Sequence, residues 1–234
     1  MTSLLSIHPD VAARFPTYQG LVLIAHDLTN GPSDEASTAL LREAEVAARR
    51  TFADQTLKDH PHLAAWREAY RAFGMKPQRT LNSAEALISR VLKGGDLPSI
   101  NRLADTYNAV SVRFVVPCGG EDLDRVVPPV VLKFADGTEA FDTMKDGAPM
   151  TDHPVPGEVV WADAEGVTCR AWNWRQGVRT RLTDTTRQAY FLFDALAPMT
   201  RDELGAAGDA LEELLRDLSP GCRTERLWLG AAAQ

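Results

Sequence analysis

Cysteine is scarce in this 234-residue chain: Cys118, Cys169 and Cys222 are odd in number and far apart. That excludes a disulfide-stapled mini-domain and a cysteine-based zinc knuckle, and it suits a reducing compartment. Long apolar runs are missing too. The longest, Leu21-Val22-Leu23-Ile24-Ala25, falls well short of the roughly 18 residues of a membrane helix. No basic-then-apolar segment opens the chain, so the expectation is a cytoplasmic protein without membrane contact. The five histidines, His8, His26, His60, His62 and His153, form no HExxH and no paired Cys/His spacing. Neither a metal nor another cofactor is therefore expected, and His60-Pro61-His62 reads as surface. A P-loop, a GxGxxG and a GxSxG elbow are all absent. There is no basic excess: 25 Lys and Arg stand against 32 Asp and Glu, a net charge of −7. That balance argues against a general nucleic-acid binder and against DNA as a partner.

What is present fits an ordinary globular chain, at 44% hydrophobic and 24% charged residues. Length favours one domain over 1–234. Gly20 to His26 reads as a buried strand, ended by the turn chemistry of Asn30-Gly31-Pro32. Asp34 or Ser33 then caps a helix over about 35–53. Leu63, Trp66, Tyr70 and Phe73 make one helical stripe stopped by Gly74. Ser83 is read as the cap of a third helix with Leu87, Ile88, Val91 and Leu92 on its apolar face, closed by Gly94-Gly95. A fourth runs from Ile100 to about Ala109. Val112, Phe114 and Val116 then alternate, predicting a strand. Val130–Phe134 and Thr138–Phe141, joined by Asp136-Gly137, predict a hairpin. Val159–Trp161 and Val167–Trp172 predict a second, and Gln188–Phe193 a further strand. Thr200-Arg201-Asp202-Glu203 is a capping box opening a last helix, with Leu204, Ala207, Leu211, Leu214 and Leu218 inward. The expected class is α+β: a central, mostly antiparallel sheet with helices before it and one helix after it.

Charge is distributed unevenly. Residues 118–165 hold eleven acids and three bases, whereas 170–187 hold Arg170, Arg175, Arg179, Arg181 and Arg187 against Asp184 alone. Arginine's rigid donor fork suits phosphates and planar partners. A salt-bridged strand answering the acidic stretch explains the pattern equally well. Within the basic segment, Cys169-Arg170-Ala171-Trp172-Asn173-Trp174-Arg175-Gln176 carries two of the five tryptophans. As a strand it sets Trp172 and Trp174 on one side and Asn173 and Arg175 on the other. Such a segment either walls a pocket for a polar ligand or seals a sheet edge. Asp105, Asn108 and Ser111, spaced by three on the fourth helix, share a face fit for an ammonium or a hydroxyl. Capping of the helix end is the commoner use of such residues. Cys118 before Gly119-Gly120 has no partner that marks it as a nucleophile.

In these segments the chain resembles the free-standing B3/B4-domain proteins, which are similar to the B3/B4 module of the bacterial phenylalanyl-tRNA synthetase β subunit. The resemblance is carried by Leu97-Pro98-Ser99-Ile100-Asn101, Asp105-Thr106-Tyr107-Asn108-Ala109-Val110-Ser111 and Pro117 with Asp122-Leu123-Asp124-Arg125. It continues through Asp136-Gly137-Thr138-Glu139, Gly157-Glu158-Val159-Val160 and Cys169 to Gln176, in order over about residues 60–195. It implies a B3/B4-like fold and, by analogy with the synthetase module, an editing site that hydrolyses tyrosine wrongly attached to the phenylalanine tRNA. Such hydrolysis needs a positioned water, a polarised carbonyl and a selective pocket.

The chain departs from the synthetase pattern where the chemistry lies. Gly119 stands where the synthetase motif has a histidine, two residues after the proline matched by Pro117. Trp172 to Gly177 occupy a glycine-rich run of the synthetase pocket, and only Gly177 is still glycine. The synthetase's site glutamate falls on Leu192 or, with a two-residue shift, on Asp194. Both positions share one strand face. Two readings follow. In one, the chain is a trans-acting deacylase of a mischarged tRNA, with Asn173 and Asp194 as catalytic candidates. Asn108, Ser111, Trp172, Trp174, Arg175 and Gln176 would then bind substrate, and Arg179 and Arg181 would meet the tRNA acceptor end. In the other, it is a non-catalytic module binding RNA, an amino acid or another small metabolite. A full synthetase is excluded, since 234 residues leave no room for an ATP-dependent aminoacylation domain.

Overall fold

The computed structural model describes residues 4–230. Its chain order begins with β1 (Leu5–Ile7), α1 (Pro9–Arg14), β2 (Gln19–His26) and α2 (Glu35–Thr51). A 3₁₀ turn, Leu57–Asp59, leads to α3 (Pro61–Ala72), α4 (Ser83–Leu92) and α5 (Arg102–Phe114). Strands follow: β3 (Cys118–Asp122), β4 (Val130–Phe134), β5 (Phe141–Lys145), β6 (Ala148–Asp152), β7 (Val159–Ala162), β8 (Val167–Arg170), β9 (Arg175–Gln176) and β10 (Ala189–Ala195). The last elements are α6 (Arg201–Leu218) and β11 (Arg223–Gly230). The expected α+β class, with antiparallel pairing dominant and a helix near the C-terminus, is what the chain adopts.

The apolar run around Leu21–Ala25 lies inside the four-stranded sheet β11-β2-β10-β3, all of it antiparallel. Every residue of β10 is buried, because both faces of the sheet are covered. Phe191 and Phe193 point to one side, where Leu204, Ala207, Leu211 and Leu215 of α6 meet them. Tyr190 and Leu192 point to the other, into a cluster with Trp66, Tyr70, Trp161 and Trp172. A second sheet, β1-β4-β7-β8-β9, is antiparallel except for the β1–β4 pair. Its apolar face supplies Val130, Leu132, Val159 and Trp161 to that same cluster. Helices α2, α4 and α5 share a further core through Leu41, Ile88, Val91, Ala109 and Val112. The Thr200 capping box forms as expected, with Thr200 accepting from the Glu203 backbone while the Glu203 side chain reaches back. A cap of this kind is worth about 1 kcal/mol.

Several local expectations are overturned. The cap of α4 is Asn82, whose side chain accepts from the Glu85 N–H, and Ser83 is the first helical residue. Leu92 is exposed. Helix α5 does not stop near Ala109. It absorbs Val112 and Phe114, because each finds an apolar partner layer on a different side of the helix. The chain leaves the helix at Val115, in the left-handed region with φ of 53°. Tertiary burial thus decides a pattern that fits both periods. The β4–Phe141 hairpin does not form either. Glu139 accepts from the N–H groups of Asp136 and Gly137 and pairs with Lys133, which carries the chain sideways. Strand β4 pairs instead with β7, and β5 with β6. The β7–β8 hairpin forms, but it ends at Arg170. On α6, Leu215 rather than Leu218 completes the buried stripe.

His62 also departs from expectation. It is buried rather than on the surface. Its Nδ1 lies 2.9 Å from the Val115 carbonyl, and its Nε2 accepts from the Trp66 indole at 3.1 Å and the Leu196 N–H at 3.3 Å. The ring ties α3 to the exits of α5 and β10. Burial lowers its pKa to about 4, so it is held neutral.

Candidate functional site

The two tryptophans of the 169–176 segment do not share a strand face. After β8 the backbone turns sharply, with Ala171 at φ 43° and Trp172 at φ 67°. Two consecutive left-handed residues without glycine cost roughly 1–2 kcal/mol each. The turn is held by Trp172 N–H donating to Val159 O at 2.6 Å and by the Glu158 carboxylate accepting from Ala171 N–H at 2.8 Å. It drives Trp172 into the core, where Phe15, Tyr18 and Trp66 surround it with ring centroids at 4.9, 5.0 and 5.1 Å. Trp174 stays half-buried, with the exposed Arg175 guanidinium 5.9 Å from its ring.

This turn closes one side of a cavity of about 300 Å³. Its other walls come from β10 (Tyr190, Leu192, Asp194), β3 (Cys118, Gly119, Glu121), α5 (Tyr107, Asn108) and the start of α4. Leu192 and Asp194 share a face, as the strand period requires.

Asp194 is buried at the centre of a hydrogen-bonded chain. Tyr18 donates its hydroxyl to Oδ1 at 2.6 Å, and Asn173 donates Nδ2 to Oδ2 at 3.3 Å. Tyr70 in turn donates to Asn173 Oδ1 at 2.9 Å. Burial raises the Asp194 pKa to about 7, against the hydrogen bonds that favour its charged form. A second carboxylate, Glu121, accepts from the Tyr190 hydroxyl at 2.6 Å, and burial raises its pKa to about 7 as well. Neither has a cationic partner among the described residues. Asn108 is 7% exposed and lines the cavity. Its carboxamide has no hydrogen-bond partner among the described residues. The indole N–H of Trp161 is buried and likewise without one.

The structure therefore gathers Asn108, Trp172, Asn173, Trp174, Arg175, Gln176 and Asp194 around one space. Asn173 is engaged on both sides of its carboxamide. Gln176 donates Nε2 to the Gly120 carbonyl at 2.6 Å, which ties β9 to β3. Ser111 is not part of the cavity. Its Oγ donates to Val116 O at 2.7 Å, satisfying a carbonyl left free by the left-handed exit of α5. Arg179 is not free for a phosphate. Its guanidinium holds both oxygens of Asp163, at 2.7 and 2.9 Å, and pairs with Glu165 at 3.4 Å. Arg170 is likewise held by Glu158 and Asp152. For these two arginines the acidic stretch is the partner. Arg175 and Arg181 are exposed.

Sequence reasoning missed Tyr18, Tyr70, Glu121 and Tyr190. Glu121 had a signal: it follows Gly119 by two residues and so shares its face on a strand. Tyr18 had none, since nothing local relates it to β10. Gly119 opens onto the cavity, and a Cβ there meets nothing within 4 Å. At Gly120, by contrast, a Cβ lies 2.9 Å from Leu182 and 3.0 Å from Phe191.

Residues 65–222 match the family model of the B3/4 domain, which is more than half of the chain. The protein belongs to the B3/4 domain family. No curated protein matches it in sequence. Among solved structures, it is similar to an N-terminal fragment of the phenylalanyl-tRNA synthetase beta-subunit from Pyrococcus horikoshii. That match has 13% identity and a TM-score of 0.48, over 97% of this chain and 55% of the fragment. The chain thus spans little more than half of that fragment's length. The family match begins after β2, yet β2 lies between β10 and β11, and Tyr18 touches Asp194. The preceding segment completes the sheet and contributes to the candidate site.

Proposed function

We propose that the protein is an aminoacyl-tRNA deacylase that acts in trans, hydrolysing the ester of a mischarged tRNA. The observation that carries this reading is the buried Asp194, braced by Tyr18 and Asn173 on the wall of a cavity sized for an amino acid. Membership of the B3/4 family and the sequence resemblance to a synthetase editing module support this substrate class.

In this reading the α-ammonium of the esterified amino acid sits on the Asp194 carboxylate. Asn173 and Tyr70 are positioning residues that fix that carboxylate. The Asn108 carboxamide, which has no protein partner, polarises the ester carbonyl through a preorganised N–H. Water adds to that carbonyl, the acyl–oxygen bond breaks, and the departing ribose oxygen takes the water's proton to become a hydroxyl. The products are the free amino acid and the uncharged tRNA. Arg175 and Arg181, both exposed, meet the acceptor-end phosphates in this reading, while Arg179 serves the fold.

The test is incubation of the purified protein with a panel of correctly and wrongly charged tRNAs, following release of the amino acid. The expected result is faster hydrolysis of one mischarged species, with Asp194→Asn lowering kcat/KM by about 100-fold or more. No release from any member of the panel overturns the reading.

A further inference from the structure

The cavity holds two buried carboxylates, and the aliphatic or hydroxylated amino acids need only one. Asp194 and Glu121 lie on neighbouring antiparallel strands and face the same space. Glu121 is the register partner of Tyr190, four residues before Asp194 on β10, which separates the two backbones by about 13 Å at the rise of a strand. Each accepts a tyrosine hydroxyl, and neither meets an arginine or lysine among the described residues. Elsewhere some of the chain's buried acids are paired with arginine, as Glu158 with Arg170, Asp163 with Arg179 and Glu85 with Arg67. Others, like Asp105 and Asp122, are satisfied by hydroxyl and backbone donors away from this cavity. Among the described acids, only Asp194 and Glu121 line it. Buried carboxylates left without a countercharge are costly, and a ligand that brings the charge removes the cost. The lining also includes Tyr107, Trp161 and Trp174, aromatic side chains of the kind that attract a cation. Arg175, the one cation among the lining residues, is exposed and lies 5.9 Å from the Trp174 ring. The unpartnered, nine-tenths-buried Asn108 points to a polar ligand in the same space.

From this placement we infer that the site takes an amino acid with a second positive charge on its side chain, Asp194 holding the α-ammonium and Glu121 the side-chain cation. The inference rests on the deacylase reading for its ester substrate, but the recognition it describes is a binding property. A lysine-like side chain, a cation on a flexible four-carbon stem, has the reach to span two such sites. A neutral side chain of equal length leaves Glu121 desolvated and without a countercharge.

Calorimetry and thermal shift at pH 7.5 with the methyl esters of lysine, ornithine, arginine and norleucine test it. The expected result is that at least one cationic ester raises Tm and binds at least tenfold tighter than the norleucine ester. Glu121→Gln is then expected to remove that preference, bringing the affinities of the cationic and norleucine esters to within about twofold of each other. The wild-type comparison alone decides the matter if the variant fails to fold. Equal or tighter binding of the norleucine ester overturns the inference, as does a cationic preference that survives Glu121→Gln. Preferred binding of a cationic ester without release of any amino acid from charged tRNA overturns the deacylase reading and leaves the cation site standing. Hydrolysis confined to tRNAs carrying neutral amino acids does the reverse.

Discussion

The Tyr18 hydroxyl donates a 2.6 Å hydrogen bond to Asp194 Oδ1 across 176 residues of sequence. Tyr18 precedes β2 and Asp194 lies near the end of β10, and the antiparallel register of the two strands sets Asp194 against Gly20. The bond therefore depends on the sheet, and it holds the carboxylate in a dry environment where an unpaired oxygen is costly.

Removing that donor gives the first prediction. Tyr18→Phe withdraws a hydrogen bond that favours the charged form, so the Asp194 pKa rises further above about 7. Binding of an ammonium that stays charged up to pH 8 needs the Asp194 carboxylate ionised, so in the wild type it tightens as pH rises from 6 to 8. Glu121, which titrates in the same window, is common to both proteins and cancels in the comparison. In Tyr18→Phe that curve moves to higher pH, whereas a merely structural role lowers Tm and leaves the midpoint in place. Burial keeps Tyr18, which bonds Asp194, and Tyr190, Cys118 and Cys169, which line the cavity, neutral throughout this window. Calorimetric titration at several pH values reads the midpoint directly.

Stability without ligand carries the opposite sign. A carboxyl with a folded pKa of about 7 and an unfolded value near 4.3 binds more protons when folded between those limits. Its contribution is full below the unfolded value and is lost as pH rises towards 7. Glu121→Gln keeps an acceptor for Tyr190 and removes the buried charge. The variant is therefore expected to match wild type near pH 4 and to melt several degrees higher at pH 8. His62, buried neutral, acts in the other direction below 6.5, but it is common to both proteins and cancels in the difference. Equal melting temperatures at pH 8 count against an ionised Glu121 in the folded protein.

Adjacent glycines on β3 separate cavity from core. At Gly119 a side chain has open space, so Gly119→Leu is expected to fold with Tm nearly unchanged and to block ligand entry. Gly120→Ala meets Leu182 and Phe191 at about 3 Å, and overpacking of that kind costs about 1–3 kcal/mol. Melting curves together with ligand titrations distinguish the two. A Gly119→Leu variant that binds as wild type removes β3 from the site.

The arginines divide in the same way. Arg179→Ala leaves Asp163 without its bidentate partner, and the expected loss is about 1–3 kcal/mol of stability, with tRNA affinity unchanged. Arg175→Ala and Arg181→Ala are expected to leave Tm within about a degree while weakening tRNA binding. Each also reduces the slope of log K against log salt by about one. Filter binding across a salt series reads the slope, and an unchanged slope in both variants removes them from the acceptor-end contact.

The elements that were legible in the sequence are those whose signal is local. The Thr200–Glu203 capping box, the Trp66–Tyr70 stripe and the Leu21–Ala25 strand each satisfy their own hydrogen bonds or bury one face, whatever surrounds them. The 169–176 segment was legible as chemistry but not as geometry. Its alternation suits a strand, whereas the Glu158 carboxylate and the Val159 carbonyl capture the backbone N–H groups of Ala171 and Trp172 and force a left-handed turn. Val112 and Phe114 failed for a related reason: their spacing serves either period, and two separate cores decided for the helix.

By itself the sequence determined the α+β class, the position of most helices and strands, and the family through motifs whose residue types and spacing survive in one dimension. It also placed Asn108, Asn173 and Asp194 among the candidates. Only the tertiary structure decided which polar groups are already satisfied. Ser111 and Arg179 are held by Val116 and Asp163, while Asp194 and Glu121 face one cavity without a countercharge among the described residues. The physical reason is that a side chain's chemistry is set by its desolvation and its partners. Both come from strands β2, β3 and β10, whose pairing brings together residues that have no relation along the chain.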